Sequence, residues 1–183
     1  MNRNLKFLLA SNVIFVLAGA ILVPVYALFV KSIHGGAIIS GILFGVGFLA
    51  SSIAGLISTR LHDGVKFESH ILQLNFLVRG LAWLAIAIFP SIPTLFAVQI
   101  IVGITDGVGS PVFNASVSRY LDPKKHVREW GVWQFWAALM TAVGSIASGF
   151  IATYFGFQVL FLIMALLAFV SLGVYIAGRK SKE

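Results

Sequence analysis

Two residues of opposite charge, Arg79 and Asp106, lie inside long apolar stretches of this 183-residue chain. If those stretches cross a membrane, both charges fall near mid-span, where an uncompensated ionisable side chain costs about 2.5–3.5 kcal/mol. The stretches are consecutive and joined by a tight turn, so the two residues are predicted to lie at similar depth. They could form a structural ion pair, or they could handle a substrate or protons. Because intramembrane ionisable residues generally mark functional sites, Asp106, and after it Arg79, are our candidates for proton coupling.

Polar residues recur along the stretch that contains Asp106. Gln99, Gly103, Asp106, Ser110 and Asn114 follow one another at steps of three or four, which places them on one face of a helix. Small residues on such a face favour close helix packing, but packing alone poorly explains a carboxylate and two amides. The pattern therefore predicts a polar cavity, with Gln99, Asp106 and Asn114 as candidate solute-binding residues.

Amide and aromatic residues in two other stretches extend this candidate site. Asn12 and Tyr26 align roughly along the first stretch, and Gln134 lies among the tryptophans of the fifth. Trp133 and Trp136 are either interfacial belt residues or an aromatic platform beside Gln134. A platform would suit a sugar-like or aromatic solute, so all five residues join the predicted binding set.

The elements that must position these residues are membrane-spanning helices. Apolar residues make up 59% of the chain and charged residues only 10%, which is too little polar surface to cover a soluble fold. Six stretches reach the roughly 20 apolar residues that a spanning helix needs. Lipid forces each to be helical, because it offers no partner for open backbone groups. The prediction is one all-α transmembrane bundle over 1–183, with spans at 7–30, 37–59, 69–89, 93–118, 129–153 and 157–177.

The basic residues are distributed as an orientation signal. Of the 13 Lys and Arg residues, all but Lys31 and Arg79 lie before the first span, between the second and third, between the fourth and fifth, or after the sixth. The positive-inside rule therefore predicts that both chain ends face the cytoplasm. This accounts for the net charge of +7, and nucleic acid is not an expected partner.

Polar and small residues also predict which spans lie inside the bundle. The first, second, fourth and fifth carry such residues in stripes, whereas the third and the nearly featureless sixth are predicted to be peripheral. For the second span, helix packing is favoured over a cavity. Spacings such as Gly41 to Gly45 and Gly103 to Gly107 let helix backbones approach closely.

Several motifs, in order along the chain, resemble those of the major facilitator superfamily. The segment from Gly55 to Asp63 is similar to that family's G-x-L-a-D-R-x-G-R loop, which follows the second span. Gly55 and Arg60 match it, Thr59 stands in the acidic position, and His62 replaces the second glycine.

Three later segments carry the same resemblance. From Gln99 to Gly107 the chain keeps both glycines of the family's R-f-L-q-G-x-g-x-G segment, with Gln99 in the place of the arginine. The glycine-rich segment 144–149 resembles part of the family's fifth span. The segment from Tyr154 to Phe161 is similar to the turn into the sixth.

The resemblance implies a fold in which two six-helix bundles rock against each other around a midplane site. It also implies a gating role for Gly55 and Arg60. One bundle has nothing to rock against, so we expect a homodimer with an isologous interface. The alternatives are half of a larger transporter or a subunit of a heterodimer. Whether Arg79 pairs with Asp106 or with a group in the partner is left open.

The function we expect is secondary transport of a small polar or amphipathic solute, with sugar-like solutes favoured, in a bacterial or archaeal cell membrane. Proton coupling through Asp106 is part of that expectation. A non-transporting structural or regulatory membrane subunit is the competing class. No cysteine, metal-binding motif or phosphate-binding glycine loop is present, so we expect no enzyme, catalytic residue, metal or cofactor. The expected partners are the solute, protons and membrane lipid.

Overall fold

Helices make up every regular element of the protein that the structure describes. The computed structural model covers residues 3–58, 60, 65–121 and 125–180. Six of its helical segments are long and apolar enough to cross a membrane, which confirms the predicted all-α membrane fold. The first span consists of two α-helices, Arg3–Ala20 and Tyr26–Ser32, linked by a 3-10 turn at Val23–Val25. The other five spans are single helices: Ala37–Ser58, Val65–Ile88, Ile92–Tyr120, His126–Tyr154 and Gly156–Lys180.

Pro24 accounts for the break in the first span. Proline has no N–H, and its ring clashes with the carbonyl four residues earlier, so an α-helix cannot continue through it unchanged. The first helix accordingly ends at Ala20, and the backbone amide of Val25 donates to the Leu22 carbonyl at 3.2 Å. The helix resumes at Tyr26, one of the predicted binding residues.

Tight turns join the third span to the fourth and the fifth to the sixth. Ser91 caps the fourth span, because its Oγ accepts a hydrogen bond from the Thr94 amide at 3.3 Å. Gly156 has a φ of 81°, a backbone conformation that glycine adopts without steric cost, and the sixth span begins there. Both turns hold consecutive spans antiparallel.

The spans pack in a definite order around the bundle. The second packs on the fourth, the fourth on the third, the third on the sixth, the sixth on the first, and the first on the fifth, which also touches the sixth. We call the end of the bundle where the first span begins and the sixth ends the terminal end; there Phe7 contacts Gly178. The opposite end is the turn end. That the terminal end faces the cytoplasm stays a prediction from the loop charges.

Burial differs from the predicted division into inner and peripheral spans. In the most apolar part of the third span 44% of residues are buried, and in the sixth 33%, against 17% in both the second and the fifth. The order of packing explains the difference, because the second and fifth spans lie at the two edges of the bundle. The third and sixth instead supply buried side chains to its apolar core, including Phe76, Trp83, Phe161 and Met164. Within this one bundle, the third and sixth spans are therefore more buried than the second and fifth. That they lie at the periphery of a two-bundle transporter stays a prediction.

Candidate functional site

Polar contacts among the predicted site residues link the spans at three levels of the bundle. Near the terminal end the first span meets the fifth, at mid-depth the third meets the fourth, and towards the turn end the first meets the fourth. The outer two contacts involve Asn12 and Tyr26 of the first span, which are 14 residues apart, or roughly 20 Å along a helix. The predicted site residues are therefore brought together in pairs rather than in one cluster.

At mid-depth Arg79 pairs with Asp106. Nη2 of Arg79 donates to Oδ2 of Asp106. The partner of Arg79, which the sequence left open, is therefore a residue of the same chain. The guanidinium also lies 5.4 Å from the ring centroid of Phe15 and 5.5 Å from that of Trp83, and both rings attract a cation. The Arg79 side chain is 17% exposed, and that of Asp106 is 36% exposed. The carboxylate is thus the more accessible member of the pair.

The surroundings of this pair hold no other ionisable group at the same depth. The second span, Ala37–Ser58, has no ionisable residue at all, and the first has none between Lys6 and Tyr26. Those of the other described spans lie near the span ends. Each charge of the pair therefore has the other as its main electrostatic partner.

Asn75 supports the pair from one helical turn away. Its Nδ2 donates to the Thr105 carbonyl at 2.8 Å, next to Asp106 in the chain, and a Cβ on Gly109 would collide with that amide group. Asn75 Oδ1 and Arg79 Nε are both buried and have no hydrogen-bond partner among the described residues. Sequence reasoning missed this contact, although the four-residue spacing of Asn75 and Arg79 places both on one face of the third span.

The contact towards the turn end joins Tyr26 and Gln99. Gln99 Nε2 donates to the Tyr26 hydroxyl at 3.0 Å, and the ring of Tyr26 packs against Phe44 with centroids 4.5 Å apart. A Cβ added to Gly47 would lie 3.4 Å from Gln99 Oε1, so the glycine leaves room for the amide. Residues of the first, second and fourth spans meet at this level.

The contact towards the terminal end joins Asn12 and Trp133. The Trp133 indole Nε1 donates to Asn12 Oδ1 at 3.3 Å. Its rings also contact Trp130, with centroids 5.4 Å apart, and Phe113 of the fourth span, at 5.9 Å. Trp133 is therefore partly buried among three spans, which does not fit the alternative of a tryptophan in an interfacial belt.

Three predicted binding residues stand apart from these contacts. Asn114 and Gln134 are exposed on the bundle surface. Trp136 is 47% exposed, and its ring packs only on neighbouring Phe135 among the ring contacts described. Gln134 and Trp136 are two residues apart, or about 200° around a helix, so they point to nearly opposite sides. The predicted aromatic platform beside Gln134 is therefore wrong within one bundle.

The predicted gating residues are partly described. Gly55 packs against the fourth span, where its added Cβ would lie 3.4 Å from the Gly107 carbonyl. Arg60 is exposed, and its amide donates to the Ile57 carbonyl at 3.1 Å. Thr59 and the motif positions 61–63 lie outside the described residues. A gating role for Gly55 and Arg60 stays a prediction.

Glycine allows the second and fourth spans to touch backbone to backbone. A Cβ on Gly103 would overlap the Gly47 carbonyl, and one on Gly107 would overlap the Ser51 carbonyl. This confirms that the Gly103 to Gly107 spacing serves close packing. Gly41 and Gly45 face open space instead, so that pair does not serve packing within the bundle.

A second ion pair lies at the terminal end and was missed from the sequence. Glu68 Oε1 accepts from Arg119 Nη2 at 2.6 Å, and Glu68 Oε2 accepts from Ser116 Oγ at 2.9 Å. The glutamate is buried, and the pair fastens the third span to the fourth near the ends of both. Glu68 stood out too little in sequence because it lies beside a charged loop.

One cavity lies away from the polar contacts, and no metal-binding group is found among the described residues. A cavity of about 300 Å³ opens at the turn end between the first, third and sixth spans, and its lining is mainly aromatic and aliphatic. Across residues 3–58, 60, 65–121 and 125–180, no group of three or more His, Cys, Asp or Glu side chains is placed to hold a metal ion.

Comparisons with known proteins agree on the fold. The model of the Major Facilitator Superfamily matches residues 8–183. A curated relative, the uncharacterized MFS-type transporter YitZ of Bacillus subtilis (strain 168), is 24% identical over 155 residues, which cover 84% of this chain and 93% of that protein.

Two solved structures are similar in fold. The in meso crystal structure of the POT family transporter PepTSo has a TM-score of 0.75 at 16% identity, over 98% of this chain and 38% of that one. The crystal structure of an auto-inhibited POT family peptide transporter has a TM-score of 0.73 at 16% identity, over 98% and 37%. The chain thus spans less than two fifths of the length of these solved transporters.

Proposed function

The chain belongs to the Major Facilitator Superfamily, and from that premise we propose that it is a secondary transporter of a small polar or amphipathic solute. It is a multi-pass membrane protein of a transporter family. The observation that carries the proposal is the pair of Arg79 and Asp106. A charge pair at mid-span with a partly exposed carboxylate is costly to retain for packing alone, and it lies where transporters bind substrates and coupling ions.

The mechanism we propose is alternating access by a homodimer of six-helix bundles. Rocking requires two bundles around a midplane site, and this chain provides one. Its edge spans support the idea, because large apolar side chains on the second and fifth remain exposed, including Phe48, Leu56, Ile146 and Phe150. YitZ, most of which this chain covers, is a relative of similar length. The second bundle would be a further copy, related by an axis along the membrane normal.

Proton coupling through Asp106 completes the proposal. We propose that the exposed part of the Asp106 carboxylate faces a water-filled cavity and exchanges protons with one side of the membrane through it. Arg79 stays charged at any physiological pH. Protonation of Asp106 would therefore break the ion pair and change which groups are free to bind the solute.

Sugar-like solutes remain compatible with the polar side chains along the spans. Amide and aromatic groups, such as those of Gln99 with Tyr26 and Asn12 with Trp133, suit hydroxyl groups and the faces of sugar rings. Trp136 and Gln134 face different directions, so an aromatic platform beside Gln134 no longer supports a sugar-like solute. The bacterial or archaeal cell membrane stays the proposed location.

The competing function is a non-transporting membrane subunit, or one half of a larger transporter. The structure gives it one specific argument, since Arg79 and Asp106 satisfy each other within the chain as a purely structural pair would. A scaffold should gain no thermal stability from any solute, whereas a transporter should respond to its own.

The test is uptake by the purified chain in proteoliposomes with an inward proton gradient, across a panel of labelled solutes. We expect at least one solute to accumulate and its accumulation to collapse when a protonophore is added. Asp106→Asn should abolish that accumulation, and Glu68→Gln, which disrupts the ion pair of Glu68 and Arg119, should not. Gradient-driven uptake that survives Asp106→Asn would contradict proton coupling through this residue.

A further inference from the structure

The charge balance of the mid-depth pair restricts the solutes that it can accept. With Asp106 ionised and Arg79 charged, the pair is neutral and closed, and the other described ionisable groups lie near the span ends. Arg79 cannot give up its proton in a protein, so Asp106 is the only member that can change charge. An isolated charge at this depth is expensive. Solute binding must therefore leave the site close to neutral.

For a solute without a positive charge, two arrangements keep the site neutral. One is the closed pair. In the other, Asp106 is protonated and the guanidinium of Arg79 is matched by a negative charge from outside the chain. A cationic solute paired with Asp106 would leave Arg79 as an uncompensated charge, and so would protonation of Asp106 together with a neutral solute.

We propose that the site takes a solute with a single carboxylate and carries it together with one proton. The proposal rests on the transporter function proposed above and names its substrate class. A proton from the solution binds Oδ2 of Asp106, the bond from Arg79 Nη2 to that oxygen breaks, and the freed N–H donates to the carboxylate of the solute. No other bond forms or breaks, and one negative and one positive charge cross together. Transport of this kind is electroneutral.

The environment of Arg79 suits this exchange of partners. Phe15 and Trp83 lie on the guanidinium at 5.4 and 5.5 Å, so the cation keeps part of its stabilisation while its carboxylate partner changes. Arginine presents several N–H groups in a planar fork that matches a carboxylate. Asp106, the member of the pair that must take up the proton, is also the more exposed of the two.

Within the described part of this chain, the surrounding spans place no competing titratable group at the depth of the pair. The second span, packed on the fourth, has none, and the first has none between Lys6 and Tyr26. On the third span His70 and Glu68 lie two or more turns from Arg79, and Glu68 is already paired with Arg119. The pH dependence of solute binding should therefore follow Asp106.

The experiment uses two solute series matched in shape and differing in charge. One is glucuronate, glucose and glucosamine, and the other is butyrate, butyramide and butylamine. Binding to the purified full chain in lipid discs is measured by thermal shift and titration, in acidic and in near-neutral buffer, where both amines stay largely protonated. Proteoliposomes, with protein-free liposomes as the control for passive permeation, then report accumulation of the glucuronate series under a pH gradient or an imposed membrane potential.

The expected result is that only the anion of at least one series binds. Its apparent dissociation constant should fall up to about tenfold for each pH unit lowered, because one proton is taken up with each anion. Asp106→Asn should bind the anion independently of pH and should not accumulate it. Arg79→Gln should lose the anion, Arg79→Lys should retain part of the binding, and Glu68→Gln should keep the wild-type pH dependence. Accumulation should respond to the pH gradient and not to the potential.

Several results would overturn the proposal. They are preferred binding of the neutral or cationic members, anion binding without pH dependence in the wild type, retention of the anion by Arg79→Gln, or no binding of either anion. Accumulation of a neutral or cationic member would reject the anion while leaving the transporter function standing. Proton-linked anion binding without transport of any solute would keep the site and reject the transporter.

Discussion

A double-mutant cycle on Arg79 and Asp106 measures how strongly the chain depends on its mid-depth pair. The variants are Arg79→Gln, Asp106→Asn and the double substitution, which replace the charges with amides of similar shape. Removing one partner of a buried ion pair costs about 3–5 kcal/mol when the other charge stays fully buried. The loss of stability in this chain depends on how exposed the remaining charge is, and the two side chains are 17% (Arg79) and 36% (Asp106) exposed.

Each single substitution should destabilise the chain by less than the loss expected for a fully buried ion pair, and the reason differs between the two. Arg79→Gln leaves a carboxylate that the rest of the chain covers only in part, so we expect a loss of about 1–3 kcal/mol. Asp106→Asn leaves a guanidinium that is more buried, but Phe15 and Trp83 each offset about 0.5–2 kcal/mol. The new amide can also still accept from Nη2, so we expect a loss of about 1–2 kcal/mol.

The double variant should be nearly as stable as the wild type, because two neutral amides leave no unpaired charge. The expected coupling energy is about 1–3 kcal/mol. The assay is reversible unfolding in mixed micelles of increasing denaturing detergent, followed by circular dichroism. If the losses of the two single variants simply add in the double variant, the two residues do not act as a pair and the account of the site is wrong.

Two other predictions concern the contacts around this pair. Gly107→Ala should destabilise the chain by about 1–3 kcal/mol in the same unfolding assay, because the added Cβ would overlap the Ser51 carbonyl. The matched control is Gly45→Ala on the second span. Because Gly45 faces open space, this substitution should be neutral or stabilising. Equal effects of the two would refute the close helix contact. Tyr26→Phe should remove the hydroxyl that accepts from Gln99 and weaken solute binding two- to tenfold, by about 0.5–1.5 kcal/mol, in a titration with the transported solute; unchanged binding and stability would separate this contact from the site.

The sequence predicted the membrane-spanning helices and the similar depth of Arg79 and Asp106 well, because both follow from the cost of polar groups in lipid. Long apolar stretches have only one stable conformation in a bilayer, so six spans follow from composition. The tight turn between their spans placed Arg79 and Asp106 at one depth, but the sequence left open whether Arg79 pairs with Asp106 or with a group in a second copy, and the structure places the partner in the same chain.

The packing of the spans was less predictable. A featureless apolar face can meet lipid or another helix equally well, because lipid tails are as apolar as leucine. The sixth span looked peripheral for that reason, yet Phe161 and Met164 are fully or nearly buried in the core. Polar stripes on the second and fifth spans indicated inner faces, but one bundle leaves those spans at its edges.

Individual side-chain partners depend on details that periodicity does not carry. Trp133 and Trp136 were grouped because they are close in sequence, but only Trp133 faces the first and fourth spans. Asn75 was overlooked because its partner is a backbone carbonyl, exposed to it by the absence of a side chain at Gly109. To predict contacts of this kind, one must know how two helices are rotated relative to each other, and a sequence pattern does not determine that rotation.

This chain is proposed to supply one bundle of a two-bundle transporter. The mass of the purified chain in lipid discs tests this, measured over a range of protein-to-lipid ratios with gentle removal of detergent. We expect two copies per disc in every preparation that binds the solute. A single copy per disc at every ratio would refute the homodimer, because one bundle has no second bundle to rock against.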